Sequence, residues 1–153
     1  MRPQTYSVLV VLFFLAGCVN REKTATLEDL YTREVKFPDG ARFRAEVVTS
    51  KFDMSRGMMF RDSLAPGHGM LFVHGEPGNY PYWMYQVRIP LDLIWLDQNR
   101  LITEIVPNVE PCKSESAAKC PQIGGARRSL IVLEFNAGVA EKHKLKPGDR
   151  LDF

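Results

Sequence analysis

No apolar run in this chain is long enough to cross a bilayer as a helix, which takes roughly 20 residues in succession. The longest, Val8–Ala16, holds about nine. The sequence also lacks G-x-S-x-G, H-E-x-x-H, a phosphate-binding P-loop and G-x-G-x-x-G, so the common hydrolase, metalloprotease and nucleotide-binding signatures are all missing. Three scattered histidines give no support to a His-dependent triad. Charge of one sign is scarce too. With 20 Lys and Arg against 18 Asp and Glu there is no basic block, and nucleic acid is not an expected partner. Internal repeats, heptads and low-complexity tracts are absent, and 153 residues suit one domain with a single core.

What is present begins at the N-terminus. The apolar run follows a short segment carrying Arg2 and ends in Leu15-Ala16-Gly17-Cys18. Its length is that of a signal-peptide h-region. The small residues before Cys18 resemble the lipobox of bacterial lipoproteins, in which the signal is removed and the cysteine becomes a lipidated N-terminus. One acyl chain holds a protein only marginally, at roughly 0.8 kcal/mol per buried methylene, but a lipoprotein cysteine carries two or three. The expected location is therefore extracytoplasmic, on a bacterial membrane, through lipid on Cys18. Val19, where an Asp would favour retention at the inner membrane, points to the outer membrane in hosts that have one. Removing residues 1–17 takes away Arg2 alone and leaves 19 basic against 18 acidic residues, nearly neutral. The expected organisation is a signal peptide at 1–17, a polar lipidated tether at 18–32 and a globular domain at 33–153.

Two further cysteines, Cys112 and Cys120, stand in the loop PCKSESAAKCP. An even count in an exported chain favours a disulfide. A metal pair is the rival, although the spacing is wider than a zinc knuckle and no histidine or further cysteine is near.

Arg42–Val47 alternates, placing Phe43, Ala45 and Val47 on one face of a strand, and Asp39-Gly40 before it signals a hairpin with Glu34–Phe37. Ser50-x-x-Asp53 fits a capping box opening a short helix to about Phe60. Gly69–Val73, Tyr80–Val87, Leu91–Leu96, Leu101–Val109 and Ser129–Phe135 read as strands, Leu91–Leu96 as a central one covered on both faces. Asn136 opens a second short helix to about Lys144, and Arg150–Phe153 closes the chain as a strand. The expected fold is α+β and β-rich: a curled or barrel-like, mostly antiparallel sheet of about eight strands with two short helices.

Four segments in order resemble one family: Ser55–Arg61, Gly69–Val73, Trp83-Met84 with Ile89-Pro90-Leu91-Asp92, and Ala126-Arg127 leading through Leu133-Glu134 to Ala137-Gly138 and Lys146–Asp149. Together they look like DUF192 (also UPF0127), a domain of unknown function, over roughly Val35 to Phe153. The resemblance implies a compact β-rich domain, often exported, often with a cysteine pair where Cys112 and Cys120 stand. This chain departs from the family's usual Trp-Met-Lys-Asn-Thr by reading Trp83-Met84-Tyr85-Gln86-Val87. Any chemistry of that Lys and Asn does not carry over.

Asp92 is the most informative charge, because an unpartnered carboxylate inside a buried strand is costly. It needs backbone donors or an arginine, with Arg56, Arg61 and Arg127 as candidates from the motifs. The site is either anion-binding or acid–base, or a structural tie. Met54, Met58, Met59, Met70 and Met84 with His68 and His74 are soft donors suited to copper(I), although methionine at such positions is more often core filler. Tyr80, Tyr82, Trp83, Tyr85 and Trp95 offer an aromatic surface; alternation would put Trp83 on the face opposite Tyr82 and Met84.

The leading reading is a lipid-anchored envelope protein acting as a non-catalytic binding or accessory module for an envelope protein, a small molecule or a sugar, with no cofactor. A small envelope hydrolase using Asp92 with an arginine is the alternative, and a copper-handling lipoprotein the third. The anchor is directly testable. Cys18→Ser should abolish lipid labelling and release of the signal; a variant that is still processed and labelled in cells fed a lipid precursor overturns the lipoprotein assignment.

Overall fold

A computed structural model describes residues 30–153, so Cys18, the signal segment and most of the tether lie outside the described residues. Six strands form one mixed, open sheet in the order β1-β2-β3-β6-β4-β5. In chain order they are β1 (Thr32–Lys36), β2 (Arg42–Val48), β3 (His68–Gly78), β4 (Leu91–Leu96), β5 (Ile102–Val109) and β6 (Ser129–Asn136). Two short helices, α1 (Lys51–Arg56) and α2 (Val139–Lys142), complete it. Thr32 already belongs to the sheet, paired with Glu46.

The sheet has six strands rather than about eight, and it is not a closed barrel. Tyr80–Val87 pairs only at Tyr82 with Ile123. Pro81 has no N–H to give a ladder, and Gln86 takes φ +57, which turns the chain. The C-terminal segment makes isolated bridges to Leu101 and Lys36 instead of a strand. The β2–β3 pair is parallel, against four antiparallel pairings. A parallel pair needs a crossover, and α1 with its flanking loops supplies it.

Local signals explain much of this. Ser50 Oγ accepts from the Asp53 amide at 3.1 Å, as a capping box requires. The helix ends at Arg56, short of Phe60, because Gly57 turns to φ +43. Asn136 does not cap α2; its side chain donates to the Leu64 carbonyl at 2.9 Å, and Gly138 is the N-cap.

The strand period of two sorts side chains onto two faces. One face carries Phe37, Phe43, Leu71, Ile94, Leu133 and Phe135; the other carries Met70, Phe72, Leu93, Trp95 and Val132, covered by Met58 and Met84. β4 is buried along its whole length, as a central strand should be. Cys112 and Cys120 form a disulfide, which closes a short loop and contributes about 2–3 kcal/mol in the loop-entropy account.

Asp92 is 0% exposed, and its register partner Phe135 places it on the first face. Its partners are backbone amides: Asn108 at 2.8 Å and Gly138 at 3.2 Å to Oδ1, and Ala140 at 2.7 Å to Oδ2. A register shift between Leu91 and Leu93 in the β4–β5 pairing, with Asn108 at φ +54, aims that amide inward. Of the two kinds of partner expected for Asp92, the structure supplies backbone donors, and Arg56, Arg61 and Arg127 are not among its partners. Asp92→Ala strands three amides, each costing about 1–3 kcal/mol when buried without a partner. Denaturant unfolding should lose about 3 kcal/mol or more, and a loss below about 1 kcal/mol contradicts this role.

Candidate functional site

The second face is where the structure leaves a cavity. Its volume is about 280 Å³, at the small end for ligand pockets. The C-terminal half of α1 and the Met58-Met59 turn form one wall, His74 of β3 and Tyr82 another, and Trp83 and Gln122 stand at the lining too. Gly57 matters here, because a Cβ on it would come within 3.3 Å of the Phe72 ring beneath.

Glu134 of β6 also lines this cavity. It lies opposite Met70 on β3 and Leu93 on β4, amid apolar neighbours, and is only 4% exposed. Its Oε2 is buried, and none of the described residues hydrogen-bonds it. Burial pushes its carboxyl up to about 8, with the positive charge of Arg61 pulling weakly the other way. Arg61 is itself taken, making two bonds to the Glu46 carboxylate at 2.5 and 2.7 Å. That pairing holds Glu46 below its ordinary range and raises Arg61.

Around Glu134 the polar groups are held rather than free. His74 stacks on Tyr80 with centroids 3.5 Å apart, and its Nε2 meets the Tyr82 hydroxyl at 3.3 Å. Burial lowers the His74 pKa and raises that of Tyr82, so both are neutral at pH 7. Tyr82 packs edge-on against Phe72 and Trp95. No hydrogen bond joins Glu134 to His74 among the described residues, and no nucleophile–base pair is assembled there. The arrangement can offer a neutral carboxyl and an apolar wall to a ligand, with Arg56 exposed at the lining.

Of the residues singled out from sequence, Arg56 and Trp83 meet at this cavity. Trp83 is 40% exposed while Met84 is buried, the expected division of faces, although the segment is not a strand. Asp92 is sealed behind the sheet, and Arg127 is exposed on the loop before β6. Arg61 lines the adjoining groove, with Arg56, Gly57 and Met59 shared between the two. The methionine set divides: Met54, Met58 and Met59 reach the cavity with His74, Met70 and Met84 are core, and His68 stands at the far end of β3. Glu134 is the residue that sequence reasoning passed over. Its signal was there: a lone carboxylate in Ser129–Phe135, an otherwise apolar strand, the same anomaly that marked Asp92.

The family model for DUF192, described as an uncharacterized ACR, matches residues 34–153. The chain belongs to this family. Among solved structures it is similar to a protein of unknown function from Novosphingobium aromaticivorans, at 30% identity and a TM-score of 0.70, covering 80% of this chain and 84% of that one. It is also similar to a protein from Sinorhizobium meliloti described as a candidate transcription regulator, at 30% identity and a TM-score of 0.68, covering 78% and 89%. No curated protein matches the chain.

Glu134 makes stability depend on pH with a definite sign. Its carboxyl titrates near 8 in the fold and near 4.5 when free of it, so between these values the folded chain holds the extra proton. Stability therefore falls as pH rises through this window, by an amount on the order of 5 kcal/mol. Unfolding free energies of the wild type and Glu134→Gln, measured from pH 5 to 9, should diverge, the variant lacking this fall. Parallel profiles show that Glu134 is ionised in the fold.

Proposed function

For this member of the DUF192 family we propose a lipid-anchored envelope module that binds a small, largely apolar ligand in the cavity under α1. The ligand sets a hydrogen-bonding group against Glu134. One observation carries the reading: a buried carboxyl oxygen without a partner at the wall of an apolar cavity. Such groups are rare because desolvation is costly, and a bound partner removes the cost. Trp83 and Tyr82 supply apolar ring surface, and Arg56 gives the ligand's polar end a second contact.

Catalysis is the weaker reading, since Asp92 lies away from this cavity and Glu134 has no second titrating group bonded to it. A specific observation favours one other reading, copper(I): Met54, Met58, Met59 and His74 line the same space, and thioether with neutral imidazole is a soft donor set.

Native mass spectrometry separates the two. Protein isolated from its own envelope in mild detergent should carry a 1:1 organic adduct that is lost in Glu134→Leu. A copper-mass adduct lost in His74→Ala but kept in Glu134→Leu moves the assignment to the metal, and wild type without any adduct counts against both.

A further inference from the structure

Six large apolar side chains are notably exposed among the described residues; Tyr31, Phe52, Phe60 and Trp83 stand on α1 or along the grooves it lines, and Leu30 precedes Tyr31 in the chain. Leu30 and Tyr31 are 64% and 69% exposed, Phe52 75%, Phe60 51% and Trp83 40%; only Leu101 lies elsewhere, at the β4–β5 turn. Their grouping follows from the two grooves. Tyr31 and Phe60 line one, Trp83 lines the other, and the grooves adjoin through Arg56, Gly57 and Met59. Phe52 sits one helical turn before Arg56, on the same side of α1. Scattered exposed apolar residues need no explanation, but a gathered set of this kind marks an interaction surface.

Where the chain leaves the domain says what covers that surface. Tyr31 belongs to the patch itself, and only residues 19–29 separate Leu30 from Cys18. Fully extended, that connection reaches at most about 40 Å. We propose that this face, Leu30, Tyr31, Phe52, Phe60 and Trp83, docks on the bilayer interface that holds the Cys18 lipid. The proposal rests on the lipid-anchored reading above. A short tether makes the second contact intramolecular, with an effective concentration in the millimolar range, so a patch too weak to bind a membrane alone suffices. Aromatic side chains are the residues that favour this depth, with their rings at the headgroup level. Docked in this way, the Glu134 cavity, whose lining includes Trp83, opens beside the lipid surface, and its ligand arrives from the membrane.

The chain holds two tryptophans, Trp83 in the patch and Trp95 at 0% exposure, which makes the test a fluorescence one. The mature lipidated protein is reconstituted into phosphatidylethanolamine–phosphatidylglycerol vesicles whose acyl chains carry bromine, a contact quencher. It should float with the vesicles and lose most of its Trp83 emission, while Trp83→Phe, reporting Trp95 alone, keeps its emission. Phe52→Ser combined with Phe60→Ser should restore much of the Trp83 signal without releasing the protein. Flotation without quenching overturns the docked face and leaves the anchor standing. Quenching that the double variant does not change shows that the tether alone brings Trp83 to the lipid, which also overturns it. Protein that does not float overturns the anchor itself, and the docking with it.

Discussion

Three backbone amides from two separate segments converge on the carboxylate of Asp92, and the architecture at the sheet's centre depends on that convergence. The Asn108 amide comes from the irregularity in β5, and Gly138 and Ala140 come from the start of α2. One side chain thereby fixes where β5 bends and where the chain leaving β6 turns into a helix. A four-residue helix has little stability of its own, because nucleation is unfavourable and few bonds repay it. Its start is satisfied here by a carboxylate three strands earlier in the fold's construction, on β4, rather than by a residue beside it in sequence. That position is available only because β4 and β6 are neighbours.

A second carboxylate stands close by under the opposite condition. Glu134 is one register step from Asp92, opposite Leu93, and so points through the other face of the same sheet. Both side chains are buried, and the surroundings decide their chemistry. Asp92 meets donors at hydrogen-bond distance on both oxygens. Glu134 meets methionine, leucine and the wall of the cavity, while Arg61, whose charge acts on it, is bonded to Glu46. A carboxyl in such a place keeps its proton near neutrality and remains able to bond to whatever enters. The first carboxylate is satisfied by the fold's own backbone, and the second is left without a partner among the described residues.

The crossover that joins the parallel strands β2 and β3 serves both the fold and the site. Its helix α1 covers the second face only in part, with Met58 sealing the core and Met54 and Arg56 left at the cavity. The same helix shows Phe52 to the outside, beside the point where the chain continues toward Cys18. Cavity and exposed aromatic residues thus lie on one side of the sheet, while the phenylalanine cluster and α2 close the other.

Much of the architecture is written locally. The alternation of Arg42–Val47, the Asp39-Gly40 turn, the Ser50 capping box and the fully apolar β4 are short-range patterns, and short-range physics reproduces them. The strand expected at Tyr80–Val87 fails for a local reason as well, since Pro81 and the left-handed Gln86 outweigh the β-favouring aromatics. By contrast, Asp92 and Glu134 look alike in sequence, each a lone acid in an apolar strand. Sequence by itself determined that Asp92 had to be buried with a partner, that a disulfide was favoured for Cys112 and Cys120, and that Trp83 and Met84 would part to opposite sides. Only the tertiary structure decided which acid finds amides and which finds a cavity. The reason is that partners for a buried charge come from segments far apart in the chain, and strand order, which no local pattern encodes, sets who those partners are.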